Sequence, residues 1–335
     1  MPNVKFDEGI TSLNLTSSVN DETVRFTVIS LFAGCGGMDL GFLGGFDFLG
    51  TYYPKLGFDI IWANEINDKA CATYRDNLGN HIVKGDIWEQ IDNDNIPKSA
   101  DVVIGGFPCQ DISINGKMAG AINGKRSGLY RAMVEVVRRV KPKIFIAENV
   151  KGLLLRTNKE SLAQVLKDFS DLGYSVSYRL YHAADYGVPQ SRERVFIVGT
   201  LPAINFTHPA SILTEQEYIT ARQAIQDLED LPENEEFSHI WSRANPSAEQ
   251  GNRRLQADRV GYTIRAECHG NIQFHYNQER RISMREAARI QSFPDNFIFH
   301  SKLRETERQL GNAVPPVLAW HIAYSVKKAL TGSKQ

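Results

Sequence analysis

Cysteine is scarce in this chain: Cys35, Cys71, Cys109 and Cys268 are the only four in 335 residues, and none stands in a CxxC pair or in paired His/Cys spacing. That excludes a disulfide framework and the common zinc-site patterns, so no metal is expected and a reducing compartment fits best. Long apolar runs are also missing. With no bilayer-length segment and no charged-then-apolar leader, the reading is a cytoplasmic protein without a membrane partner. Internal repeats and low-complexity tracts are absent, and neither sign of charge dominates. Lys and Arg number 38 against 39 Asp and Glu, a net charge of −1, which gives no general attraction to phosphate.

What is present is an ordinary globular composition, 42% hydrophobic and 23% charged, in a chain long enough for one large domain with a smaller second lobe. The charges are unevenly placed. Between positions 115 and 143 eight basic residues, from Lys117 to Lys143, face the single acid Glu135, which marks a candidate cationic patch. Positions 213–236 reverse this, with eight acids against Arg222, and basic residues return from Arg243 to Arg265. The opening two dozen residues, rich in Ser, Thr and Asn, read as a flexible arm over 1–24.

Hydrophobic patterning places strands at 25–33, 58–63, 81–84, 101–105, 143–147, 174–181 and 194–199. Helices at 38–42, 67–77, 129–140 and 162–172 alternate with them. The alternation predicts an α/β fold with a doubly wound, mostly parallel sheet over 25–200. Positions 201–281, loose and rich in Pro, Gly and Asn, predict a smaller irregular domain. Helices at 284–291 and 317–330 predict a return to the first domain over 282–335.

In such a sheet ligands lie beyond the carboxyl ends of the strands, and several polar motifs fall there. Gly34, Gly36 and Gly37 form a turn that lets backbone approach a ligand. Glu65 stands where an acid accepts hydrogen bonds from ribose hydroxyls, and Asp86 where one could take an adenine amino group. Together they imply an adenosine-containing cofactor without choosing between NAD and S-adenosylmethionine. Cys109 follows Pro108 in a polar loop bearing Lys117, Lys125 and Arg126, and cations favour a thiolate. Arg192 and Arg194 are candidates to add to that field and to bind an acceptor oxygen. Glu148 ends an apolar strand, where burial would raise its pKa and let it share a proton with a substrate nitrogen.

The ordered series FAGCGG, ANEIN, GDI, GGFPCQDIS, ENV, QSRERVFIVG, REAARIQSFPDNF and GNAVPP resembles the cytosine carbon-5 DNA methyltransferases of bacterial type II restriction-modification systems. The resemblance implies a methyl-transferring Rossmann-like fold and methylation of a flipped-out cytosine in duplex DNA. S-adenosyl-L-methionine is the implied donor, with S-adenosyl-L-homocysteine as product. It assigns Cys109 the attack on carbon 6, Glu148 the ring N3 and amino group, and Arg194 the ring O2, with Pro108, Gln190 and Arg192 in support. Phe32, Gly34, Gly36, Gly37, Glu65, Ile66, Asp86, Ile87, Asn312 and Val314 would hold the cofactor. Ile66 departs from the bulkier platform common at its position, so stacking on adenine is weaker or comes from elsewhere. The stretch GFLGGFDFLGTYYPKLGF is a second departure.

Gln110, Ser113, Asn115 and Lys117 would meet DNA from the closing loop, and Arg253, Arg254, Thr263, Arg265 and His269 from a target-recognition domain over 201–281. The implied protein is a monomeric bacterial enzyme, nucleoid-associated when acting, with a restriction endonuclease as possible companion. Rival readings are an RNA cytosine methyltransferase of the same family, an NAD-dependent oxidoreductase and a catalytically dead DNA-binding homologue.

Overall fold

The computed structural model describes residues 24–107, 128–243, 253–266 and 273–332. Its first strand, β1 (Phe26–Leu31), is an interior strand of a seven-stranded sheet, and five of its six residues are buried. Burial on both faces is why it is a continuous β-branched and aliphatic run rather than an alternating one. The glycine turn follows, then α1 (Gly37–Leu43), a hairpin of β2 (Phe46–Phe48) and β3 (Thr51–Tyr53), and β4 (Phe58–Glu65). Next come α2 (Asp68–Leu78), β5 (Ile82–Lys84), α3 (Ile87–Asp92) and β6 (Val102–Gly106). Beyond them lie α4 (Leu129–Val140), β7 (Ile144–Val150), α5 (Lys159–Ser170), β8 (Ser175–His182) and β9 (Glu193–Thr200).

The strand order is β5-β4-β1-β6-β7-β9-β8. The first five run parallel, whereas β9 pairs antiparallel with both β7 and β8. Order reverses at β1, so ligands are expected outside the carboxyl ends of β1, β4 and β6. Side-chain caps set local boundaries: Asn67 accepts from the Ala70 amide to open α2, and Asp86 from the Trp88 amide to open α3.

The later chain contributes α6 (Ala221–Ile225), α7 (Met284–Ile290), α8 (Leu303–Asn312) and α9 (Pro316–Gly332). Helix α7 is opened by a reciprocal box in which Ser283 and Glu286 cap each other's backbone amides. Helix α9 lies so close to α1 that a Cβ on Gly41 would stand 2.4 Å from the Ala319 Cβ. Leu255, Ile264 and Ile282 join the same apolar cluster as α1, α6 and α9, so the loosely patterned middle of the chain shares a core with this face of the sheet. The opposite face is filled by α3, α4 and α5.

Candidate active site

A cavity of about 450 Å³ opens at the sheet edge predicted from the sequence, within the size range of small-molecule sites. One wall is the glycine turn. Phe32 and Gly34 hold left-handed backbone at φ 55° and 58°; Gly36, expected to hold the cofactor, has φ 92° but does not line the cavity, and a Cβ on it would lie 2.3 Å from the Leu78 side chain. For Phe32 this conformation is costly, the kind of strain that gathers where a backbone must present itself to a ligand. A Cβ on Gly34 would meet nothing within 4 Å, whereas one on Gly37 would lie 2.4 Å from the Val314 carbonyl oxygen. Gly34 thus leaves open a space a side chain would fill, and Gly37 permits close packing against 313–314.

The second wall is built by β4 and the start of α3. Both carboxylate oxygens of Glu65 are oriented by backbone amides, Oε2 by Gly34 at 3.0 Å and Oε1 by Asn67 at 2.7 Å. Each oxygen keeps a lone pair for a further donor, as a ribose diol requires. Asp86 and Ile87 line the cavity, with one Asp86 oxygen spent on capping α3. Ile66 also lines it and is 66% exposed, an uncovered apolar surface suited to a flat ring. Asn312 and Val314 close the far side, joined by Glu305, Arg308 and Gln309 of α8, which sequence reasoning missed. This donor and acceptor set fits an adenosine-bearing group.

At the other end sits Glu148. It occupies the same register level as Gly106 on β6, where a Cβ would come within 2.8 Å of Glu148 Oε2. Only glycine leaves room for the carboxylate. Arg194 Nε donates to Glu148 Oε1 at 2.8 Å, both side chains being almost fully enclosed. Burial pushes the Glu148 carboxyl above its usual range, opposed by the charges of Arg194 and Arg192. Asn149 Nδ2 donates to the Phe107 carbonyl at 2.8 Å, fixing the backbone one residue before Pro108. Pro108, Cys109, Gln110, Ser113, Asn115, Lys117 and His269 lie outside the described residues. Cys35 and Cys71 are buried thiols pushed up to about 12 and about 11, so neither is an ordinary nucleophile at neutral pH.

Several expectations need correcting. Arg192 does not reach the cavity. It is fully buried, and its terminal nitrogens donate to the carbonyls of Ile264, Gly311 and Ala313 at 2.8–2.9 Å. Gln190, expected only in support of the site, is equally buried and is held by the Ile264 amide and by Gln291. Arg254, expected at a guanine edge or phosphate, is turned inward onto the His275 and Gln278 carbonyls and paired with Glu279, so it staples a loop. Thr263 donates its hydroxyl to the Ser191 carbonyl, while Arg253 and Arg265 remain exposed. Much of the basic run around α4 is also engaged, Arg138 and Arg139 on Glu135 and Lys143 on Asp101.

A polar cluster that reaches the cavity wall at Ser30 and Asp39 was not foreseen. Asp39 is fully buried and accepts from Ser30 and from the Tyr74 hydroxyl, which stands 2.9 Å from His81 Nε2. Desolvation raises the Asp39 carboxyl from 3.8 to about 6, opposed by those two hydrogen bonds. The GGMD spacing was the available signal, since an acid in the first turn of a buried helix needs partners. Among the described residues no group of three or more His, Cys, Asp or Glu could hold a metal ion, and no helix is long and apolar enough to cross a membrane.

A mostly parallel sheet with an adenosine-compatible cavity at its carboxyl edge, beside a buried Glu–Arg pair, is an arrangement that a methyltransferase-type α/β fold provides. The fold is similar to that of a solved structure of Entamoeba histolytica methyltransferase EhMeth, with a TM-score of 0.63 at 18% identity over 93% of this chain and 100% of that one. The chain belongs to the C-5 cytosine-specific DNA methylases, a family matched over residues 26–259 and 242–328. Among curated relatives, it is 36% identical to Type II methyltransferase M.NgoFVII of Neisseria gonorrhoeae, covering 92% of this chain and 88% of that protein. It is 37% identical to M.MthTI of Methanothermobacter thermautotrophicus, covering 92% and 99%. Membership of that family makes it a cytosine-specific DNA methyltransferase.

Proposed function

We propose that this protein transfers a methyl group from S-adenosylmethionine to carbon 5 of a cytosine flipped out of a specific duplex DNA site, through a transient bond between Cys109 and carbon 6. The observation that carries the reading is the Glu148–Arg194 pair, which opens on the same cavity as Glu65 and the glycine turn and lies next to the strand leading to Pro108 and Cys109. The residues that would hold the donor are Phe32, Gly34, Gly37, Glu65, Ile66, Asp86, Ile87, Asn312 and Val314. When bound, the donor supplies an electrophilic methyl group.

The chain's own residues make the ring receptive. Cys109 thiolate adds to carbon 6 while Glu148, whose burial favours the protonated form, gives a proton to ring N3 and accepts from the amino group. Arg194 steadies the ring O2. Carbon 5 thereby becomes nucleophilic enough to take the methyl group. Loss of the carbon 5 proton to a base then expels the Cys109 thiolate and restores the ring, and Glu148 recovers its proton from N3. Arg253, Arg265 and the segment 108–127 would meet DNA, with residues 201–281 as the recognition domain. The protein would act as a monomer, alongside an endonuclease of the same site. Incubation with genomic DNA and cofactor, followed by bisulfite sequencing, tests this. Protected cytosines within one short sequence are expected, and no protected cytosine would overturn the reading.

A further inference from the structure

Segment 261–266 is sewn to the chain on two sides. On one side Ser191 donates its amide to the Gly261 carbonyl and accepts from the Thr263 hydroxyl, while Gln190 Oε1 accepts from the Ile264 amide. On the other side it abuts the end of α8 backbone to backbone. A Cβ on Gly311 would lie 2.2 Å from the Ala266 nitrogen and 2.3 Å from the Arg265 carbonyl carbon. Residues 311–314 are also the rim of the cofactor cavity.

Arg192 spans the two. Its Nη1 donates to the Ile264 carbonyl at 2.9 Å, and its Nη2 to the Gly311 and Ala313 carbonyls at 2.8 and 2.9 Å. A second route runs in parallel, since Gln190 donates to Gln291, which donates to the Ala313 carbonyl at 2.6 Å. A guanidinium is a rigid planar fork, so three carbonyls gathered on it from two distant segments hold fixed relative positions. Displacing either segment would leave a fully buried cation short of acceptors, a costly state.

We propose that Arg192 is a positioning residue that couples cofactor occupancy to DNA engagement by tying the cavity rim at 311–313 to the segment bearing Thr263 and Arg265. This rests on the methyltransferase reading for the identity of the two ligands. Linkage makes the coupling reciprocal: the factor by which DNA tightens the cofactor equals the factor by which the cofactor tightens DNA.

The test is calorimetric binding of S-adenosylhomocysteine to the full chain, alone and saturated with a short duplex carrying the mapped site. The wild-type protein is expected to bind about fivefold or more tightly with DNA present, the low end of couplings between sites. Arg192→Lys, whose single compact ammonium cannot take the place of both Nη1 on the Ile264 carbonyl and Nη2 on the Gly311 and Ala313 carbonyls, is expected to bring that ratio close to one. A purely structural role would weaken both measurements alike and leave the ratio unchanged, which would overturn the proposal in the folded variant. Thr263→Val removes a single stitch and carries the test if Arg192→Lys does not fold: its ratio should fall below wild type, and an unaltered ratio counts against the tie. A wild-type ratio of one refutes the coupling alone, whereas absence of S-adenosylhomocysteine binding in either condition refutes the methyltransferase reading beneath it.

Discussion

Replacing Glu148 by Gln isolates charge from shape at the centre of the site. The amide oxygen can still accept from Arg194 Nε, now 2.8 Å from the carboxylate, and Gly106 still leaves the room the group needs. Two effects on stability oppose each other. Arg194 loses its counter-charge, and breaking a buried pair outright costs about 3–5 kcal/mol. The retained hydrogen bond and the relief of burying a carboxylate offset much of that, leaving a net change of about 2 kcal/mol or less. The pH dependence has a definite sign. Because burial raises the Glu148 carboxyl, its contribution is present at low pH and lost as pH climbs through its raised value. The Gln variant does not titrate, so it should gain on wild type as pH rises. Methyl transfer should fall by about 10²–10⁴, the usual worth of a positioned acid–base group. Labelled-methyl transfer to DNA together with thermal melts across pH reads both. A folded variant that transfers methyl within a few-fold of wild type would refute the role given to Glu148.

Asp39→Asn should remove a pH-dependent liability. The buried carboxyl rises from 3.8 to about 6, so wild type loses stability relative to the variant as pH rises through that window. At 1.36 kcal/mol per pKa unit this amounts to about 3 kcal/mol, read from denaturation at several pH values. Glu65→Gln should weaken S-adenosylhomocysteine by about 1.5–3 kcal/mol, the worth of hydrogen bonds to a charged group, with calorimetry as the check. Gly37→Ala pushes a methyl group to 2.4 Å from the Val314 carbonyl, so a stability loss of about 1–3 kcal/mol is expected in thermal melts.

The parallel strands were legible because burial on both faces writes them as apolar runs, and their polar ends identified the cavity in advance. The β2–β3 hairpin escaped notice, although Phe46 and Phe48 are buried around exposed Asp47 and Leu49–Gly50 takes the left-handed turn such hairpins favour. Helix α8 was missed because the face it buries, Thr306, Gln309, Leu310 and Gly311, carries a single large apolar side chain. The antiparallel placement of β9 follows from chain return, which no local pattern records. Arg192 was misplaced for a related reason. An arginine beside a catalytic motif reads as facing substrate, whereas its three carbonyl partners lie 72–121 residues away. The Asp39–Tyr74 contact spans 35 residues and was hidden in the same way.

The most direct measurement is covalent trapping. A duplex with 5-fluorocytosine at the mapped target blocks the final proton loss, so a bond from Cys109 to carbon 6 cannot be undone once the methyl group has moved. Stoichiometric, denaturation-resistant protein–DNA joining that requires cofactor and vanishes in Cys109→Ser is the expected result. Free protein recovered after a competent reaction on that duplex would contradict the mechanism.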